Sequence, residues 1–151
     1  MDIIDYTINL DDSVDVNGDI DISNKNLEKI PVKFGKVIGD FHCDNNKLTS
    51  FEGAPTSVGG GFGCNSNKLT SLKGAPTSVG GNFYCANNKL TSLEGAPKSV
   101  GGNFYCTSNQ LTSFEGAPKL VEGSFYCYNN PTQFNKQYIN SVCKVKGDIY
   151  I

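Results

Sequence analysis

The feature that most limits what this chain can fold into is a period. Cys43, Cys64, Cys85, Cys106 and Cys127 follow one another at intervals of 21 residues. Around them the text repeats without a gap from Gly39, as 39–59, 60–80, 81–101, 102–122 and 123 onward. Each copy reads G-x-F-x-C-x-x-N-x-L-T-S-L/F-E/K-G-A-P-x-x-V, and the fifth breaks after Asn130. One such unit cannot bury an apolar face alone, whereas units stacked in register share a continuous core. The chain therefore reads as a solenoid forming a single domain over residues 1–151.

Each position in the unit has a physical reading. Phe83 and Cys85 stand two apart and so share one face of a short strand. Leu90 and Leu93 point into the same interior as the chain turns. Gly95-Ala96-Pro97 makes an extended or turning back side, because glycine permits unusual φ and proline fixes it. Val100 and a glycine pair lead back to the next strand.

The cysteines behave in this frame as small buried hydrophobes. Strands about 4.8 Å apart put the sulfurs in a line. In-register neighbours lie side by side rather than aimed at each other, as a disulfide requires. Four zinc ligands converge on one point, and a line does not. Cys143 lies outside the ladder and reads as core packing too. Asn46, Asn67, Asn88, Asn109 and Asn130 form a second ladder. An amide both donates and accepts, so it can partner backbone groups where the chain leaves each strand.

F-x-C-x-x-N-x-L matches the second half of the leucine-rich repeat pattern L-x-x-L-x-L-x-x-N-x-L, with Phe and Cys at the two strand Leu positions. The continuation NNKLTSLEGAP resembles the short-repeat bacterial class, which includes type III effectors with LTSLPELP-like text. More closely, VDVNGDIDISNKNLEKIPVKFGKVIGDFHC followed by NNKLTSLEGAP copies resembles small leucine-rich repeat proteins encoded by tailed bacteriophages and some bacteria. The resemblance covers residues 6–130. It implies an open, curved solenoid with a parallel β-sheet on its concave face and an irregular Gly-Ala-Pro convex side. It also implies binding to another macromolecule, usually a protein. For a phage protein that partner would be a host or competing-phage protein, and binding could block a defence system.

The ends of a stack need caps. Tyr6, Ile8, Leu10, Val14, Val16, Ile20 and Ile22 all fall on even positions, which is strand patterning. A three-residue turn at Asn17-Gly18-Asp19, pairing Val16 with Ile20, keeps one apolar face. Residues 1–22 therefore read as an N-terminal β-cap, a meander over 6–22 whose last strand starts the repeat sheet. Residues 23–38 read as a degenerate repeat, with Leu27 and Ile30 in register with Leu48 and Phe51. The run Asp15 to Asp21 suggests a calcium loop, but Gly18 is fourth rather than sixth and Asn26 stands where a glutamate is needed. A turn with exposed acids is the better reading. Residues 131–151 form the C-terminal cap. Phe134, Tyr138, Ile139 and Val142 have helical spacing, so a short helix over about 133–141 with Thr132 as N-cap is predicted. VKGDIYI echoes GDIDI and GDFHC and predicts a last strand with Ile149 and Ile151 inward.

Composition narrows the function. Net charge is −2, and all thirteen basic residues are lysine. The absence of arginine, the usual bidentate reader of phosphate and guanine, argues against nucleic acid. Charge is also uneven, with −6 over residues 1–44 and +4 over 45–151. MDIIDYTINL is not a signal peptide, and no segment is long and apolar enough to span a membrane. No Asn-x-Ser/Thr sequon with a permitted middle residue occurs. The expectation is the bacterial host cytoplasm, where thiols stay reduced.

Side chains between the inward strand positions face out of the sheet, onto the concave surface. That column reads Asp21, His42, Gly63, Tyr84, Tyr105, Tyr126 and Tyr150. On one side run Asp19, Asp40, Gly61, Asn82, Asn103, Ser124 and Asp148, and on the other Ser23, Asp44, Asn65, Ala86, Thr107 and Tyr128. Tyrosine offers a large amphipathic contact area at low entropic cost. Cross-strand stacking alone is the plainer explanation of the stripe. The candidate partner-binding set is His42, Tyr84, Tyr105, Tyr126, Tyr128, Asn82, Asn103, Asp40 and Asp44, with the acids placed to steer a basic partner. Catalysis finds little support. His42 stands between Asp40 and Asp44, but no Ser or Cys nucleophile completes a triad. Gly59 to Gly63 is repeat text, because no Lys-Ser/Thr follows it as in a phosphate loop. No enzyme activity, metal, cofactor or small-molecule ligand is expected. The functions left are a protein-binding module, a self-associating structural repeat, and a single-stranded nucleic-acid binder using tyrosine as stacking platforms.

Overall fold

The computed structural model describes residues 5–151; the first four residues of the expected N-terminal cap lie outside the described residues. The chain opens with β1 (Asp5–Ile8), β2 (Val14–Asn17) and β3 (Ile20–Asp21). Strand pairs then recur once per repeat: β4 (Phe34–Val37) and β5 (Phe41–His42), β6 (Ser57–Val58) and β7 (Phe62–Gly63), β8 (Ser78–Val79) and β9 (Phe83–Tyr84), β10 (Ser99–Val100) and β11 (Phe104–Tyr105), β12 (Leu120–Val121) and β13 (Phe125–Tyr126). A helix, α1 (Lys136–Val142), precedes β14 (Lys144–Val145) and β15 (Ile149–Tyr150). The result is a parallel-strand β-solenoid of about seven turns with one short helix.

Register follows from the period. Phe41, Phe62, Phe83, Phe104 and Phe125 lie opposite one another, as do Val58, Val79, Val100 and Val121. Each coil donates to the next, so Phe83 N–H reaches Asn103 O at 2.9 Å and Cys85 N–H reaches Tyr105 O at 2.9 Å. Inside, the five phenylalanine rings stack at centroid spacings of 5.1 to 5.5 Å. The cysteine, leucine and valine columns complete the buried core.

The back of the solenoid is not irregular throughout. Two sheets form, an eight-stranded one in the order β1-β2-β4-β6-β8-β10-β12-β14 and a seven-stranded one in the order β15-β13-β11-β9-β7-β5-β3. The dipeptide ending in Val after each Gly-Ala-Pro, Ser-Val in three copies and Leu120-Val121 in the fourth, adds a strand to the first of them. A strict period sets every extended dipeptide opposite its own copy, and β-branched valine suits that pairing. Only Gly-Ala-Pro turns. Its glycines, Gly53, Gly74, Gly95 and Gly116, sit at φ of 78 to 90°. At Gly95 a Cβ would also run into the backbone of Leu72 and Lys73 in the coil before.

The N-terminal meander reduces to one hairpin. β1 pairs antiparallel with β2, placing Tyr6 opposite Val16 and Ile8 opposite Val14. Asn17-Gly18-Asp19 does not close a second hairpin, because β2 and β3 belong to different sheets. Those residues make the corner between the sheets, as Ile38-Gly39-Asp40 and Gly80-Gly81-Asn82 do later. A glycine stands at that corner in every coil, and a Cβ at Gly81 would crowd the backbone of Gly60 and Gly61. The even-numbered pattern holds inside the stack, where Val16 is buried. It fails on β1, where Tyr6 and Ile8 are 60% and 64% exposed, and in the turn after it, where Leu10 is bare. β1 is the edge strand of its sheet, and among the described residues nothing covers it. The degenerate repeat is in the register read from the sequence: Ile30 is buried, and Leu27 O accepts from Lys47 N–H as Leu48 O accepts from Lys68 N–H.

At the other end the helix starts later than predicted. Its N-cap is Asn135, not Thr132, and the Asn135 side chain accepts from Tyr138 N–H at 2.8 Å. The residues before it turn so that Phe134 lies against Phe114, with ring centroids 4.1 Å apart. Ile139 and Cys143 are buried. β14 and β15 extend the two sheets. Ile149 is inward as expected, but Ile151 is 53% exposed, since no further coil lies over it among the described residues.

The asparagine ladder seals the turn after each strand. Asn88 Oδ1 accepts from Leu69 N–H, while Nδ2 reaches the carbonyls of Cys64, Cys85 and Ala86, all within 3.0 to 3.2 Å. The residue before each of these positions is left-handed: Asn45, Ser66, Asn87, Ser108 and Asn129 have φ of 54 to 57°, a conformation Asn tolerates better than most residues. Asn88→Ala strips partners from buried backbone groups, each costing ~1–3 kcal/mol when unmet. Urea unfolding is expected to show a loss of about 2–4 kcal/mol, against less than about 0.5 kcal/mol for the exposed neighbour Thr91→Ala.

Candidate functional site

The outward column of the seven-stranded sheet carries the candidate site. Tyr84 and Tyr105 stack with centroids 4.9 Å apart, Tyr105 and Tyr126 at 4.5 Å, and Tyr126 and Tyr150 at 4.5 Å, all within 11° of parallel. Parallel in-register strands impose this, since identical residues stand side by side at the strand spacing. Asn82 Nδ2 donates to the Tyr84 hydroxyl at 2.7 Å, and Asn103 Nδ2 to the Tyr105 hydroxyl at 3.0 Å. Two of the phenols are thus held in place. Lost water contact, with the neighbouring phenols of Tyr105 and Tyr150, pushes the Tyr126 phenol above its ordinary value.

His42, Asp40 and Asp44 form a separate group, divided from the tyrosines by Gly63. His42 Nδ1 lies 3.3 Å from Asp44 Oδ2, and its Nε2 lies 4.0 Å from Asp40 Oδ2. Tyr128 flanks the tyrosine stack on the turn side and is 46% exposed. It borders a cleft of about 460 Å³ with Cys127, Phe134 and Ile151. Tyr150 belongs with the stack although it is not in the candidate set; the echo of GDFHC in GDIYI is the signal that places it there.

Four of the candidate residues also have a structural task. Asp40 Oδ1 accepts from Gly61 N–H, Asp44 Oδ1 from Asn65 N–H, Asn82 Oδ1 from Asn103 N–H and Asn103 Oδ1 from Ser124 N–H, at 2.6 to 2.8 Å. Each oxygen satisfies the next coil's amide where no strand carbonyl does. The sequence signal was an oxygen-bearing side chain at Asp19, Asp40, Asn82, Asn103 and Ser124, interrupted only by Gly61.

The thiols lie beneath this face. Cys43, Cys64, Cys85, Cys106 and Cys127 each donate to the carbonyl of the next coil, that of Gly63, Tyr84, Tyr105, Tyr126 and Tyr150, at 3.1 to 3.5 Å. All six cysteines are free and buried. Burial raises every thiol, Cys127 and Cys143 to about 11 and the other four further. A nucleophile needs the thiolate, which this setting suppresses. No helix is long and apolar enough to cross a membrane among the described residues. Compared with known proteins, the chain matches no family model, no curated protein and no solved structure.

The thiols set an alkaline limit. An unfolded cysteine loses its proton near pH 8.5, whereas the folded ones keep theirs to about 11 or beyond. The folded state therefore binds more protons above pH 8.5, and stability falls as pH rises. By pH 10 the loss is on the order of 1–2 kcal/mol per thiol. Urea midpoints at pH 7, 9 and 10 are expected to fall steeply for the native chain, and less steeply for Cys85→Val.

Proposed function

We propose that this protein is a non-enzymatic leucine-rich repeat module, phage-encoded, that holds a host protein against its concave face and thereby blocks a defence system. The repeat text supports the family and the phage source. The observation that carries the binding reading is the contrast between columns. Phe, Cys, Asn and Leu recur almost unchanged inside, while the outward column runs Asp21, His42, Gly63, Tyr84, Tyr105, Tyr126 and Tyr150. Stacking alone would be served by one residue repeated. A stripe of oriented tyrosines beside an acidic group offers a partner both an amphipathic anchor and a charged edge.

The binding residues are Tyr84, Tyr105 and Tyr126, flanked by Asn82, Asn103 and Tyr128, with His42, Asp40 and Asp44 at the acidic end. A pull-down from bacterial and phage-infected lysates tests this, comparing the native chain with Tyr84/Tyr105/Tyr126→Ser. The expected result is a host protein retained by the native chain and lost, by tenfold or more, with a variant whose far-ultraviolet spectrum is unchanged. Equal retention by both chains removes the tyrosine face from the reading.

A second reading is self-association through the exposed edge strand β1. It is favoured by Tyr6 and Ile8, which stand on that edge more than half exposed. Sedimentation velocity at rising concentration decides it: a species that stays monomeric throughout disposes of this alternative.

A further inference from the structure

The tyrosine stack has an unpaired end inside the molecule. One face of the Tyr84 ring meets Tyr105. The other turns toward β7, where Gly63 supplies no side chain. Gly61, the flanking outward position of the same strand, supplies none either. The next outward side chain is His42, two strand spacings away, roughly 9.6 Å. His42 and Asp44 lean across Gly63, and a Cβ there would collide with His42 Nδ1 and Asp44 Oδ2. Above them opens a cleft of about 660 Å³ lined by Asp21, His42, Asp44, Asn65 and Tyr84 among others.

The chemistry of this cleft is specific. One wall is the free face of an aromatic ring, whose quadrupole attracts cations. The floor carries the Asp44 carboxylate, with Asp21 in the lining and Asp40 beside His42. Among the described residues, no lysine forms an ion pair with Asp21, Asp40 or Asp44; the lysine pairs are Lys33–Asp11, Lys73–Glu94 and Lys146–Glu122. We propose that this cleft binds the guanidinium of an arginine side chain on the partner protein. The group lies against Tyr84 in the cleft above the His42 and Asp44 side chains and donates to the Asp44 carboxylate. The inference rests on the outward face of this sheet being the binding face, and it names the chemistry of the partner's contact.

Arginine fits better than lysine for two reasons. Its planar cation can continue a stack of planar rings, and its fork of N–H groups matches a carboxylate. An ammonium does neither. The occupant also comes from another molecule, because this chain has no arginine.

The test is a titration of the full chain followed by two-dimensional NMR, with acetyl-arginine amide, acetyl-lysine amide and acetyl-citrulline amide as probes. The expected result is saturable shifts at His42, Gly61, Gly63, Asn65 and Tyr84 with the arginine probe. The lysine probe should bind at least fivefold more weakly, and the neutral citrulline probe should leave the residues unmoved. Asp40→Asn/Asp44→Asn is the matched variant. Asn82 and Asn103 accept from the next coil at the Asp40 position, and Asn65 does so from Ala86 N–H at the Asp44 position. The amides should therefore keep the fold while weakening arginine binding at least fivefold. No saturable shift at these residues overturns the proposal, as does a lysine or citrulline probe binding as well as arginine, or a folded double variant that binds unchanged. If the arginine probe fails while Tyr84/Tyr105/Tyr126→Ser still loses its partner, the binding face stands and the guanidinium assignment alone falls.

Discussion

Everything in this solenoid depends on lateral backbone pairing between coils. Amides at the Phe and Cys positions of one coil donate to carbonyls of the next, from Ile20 N–H to Asp40 O at one end to Cys127 N–H to Tyr150 O at the other. Through the repeats the pairing keeps an offset of 21 residues, which puts each residue beside its own copy. Side chains then compete for space with identical neighbours. Flat rings stack, thiols line up, and valines pack in a column. Where the backbones of adjacent coils crowd at the corner, only glycine fits, and Gly39, Gly60, Gly81, Gly102, Gly123 and Gly147 all stand there. A substitution in one coil therefore loads the coil before it as well as its own.

The ladders share the work of satisfying the backbone. Strand amides are met by strand carbonyls, but the corner and the turn leave groups over, and a buried group left unmet is costly. Asn46, Asn67, Asn88, Asn109 and Asn130 serve the turn. Asp40, Asp44, Asn82 and Asn103 serve the edges of the outward face. Aspartate and asparagine do this second job equally well, because both present a carbonyl-like oxygen. The charge of the outward face is consequently free of the fold: an acidic end and a neutral middle can be built on the same hydrogen bonds. That freedom is what a recognition surface requires, and it explains how the acidic group at Asp40 and Asp44 coexists with an otherwise repetitive text.

Most of the fold was legible because the period made it so. The inward columns, the cysteine packing and the asparagine ladder each follow from one residue type recurring at one spacing. What was not legible lies where local signals had two meanings. Asn17-Gly18-Asp19 is good hairpin text, but only a third dimension reveals that its flanking strands belong to different sheets. Thr132 and Asn135 are both good N-caps, and the choice was made by Phe134 packing on Phe114, a contact 20 residues apart in the chain. Ser57-Val58 is too short to read as a strand alone and becomes one only because Ser78-Val79 lies beside it. The outward tyrosines were legible as a column, whereas the second duty of Asp40, Asp44, Asn82 and Asn103 was hidden. Their polarity suggested solvent or a partner, not the amide of the next coil.

The break at Gly61 and Gly63 is the place where local logic and sequence part. A tyrosine at position 63 would extend the stack, and an aromatic pair adds about 0.5–1.5 kcal/mol beyond burial. Glycine inside a strand weakens it instead. The fold obtains no turn in return, since neither Gly61 nor Gly63 has a positive φ. The gain is room. Without a Cβ at Gly63, His42 and Asp44 have room to lie across the strand, and Tyr84, stacked on Tyr105 on one side, lines the cleft above them. Sequences that satisfy every local preference but forgo one do so most often at functional sites. The interrupted rung, with an acid on its floor and an aromatic face for its wall, is therefore the part of this surface whose composition the solenoid itself does not explain.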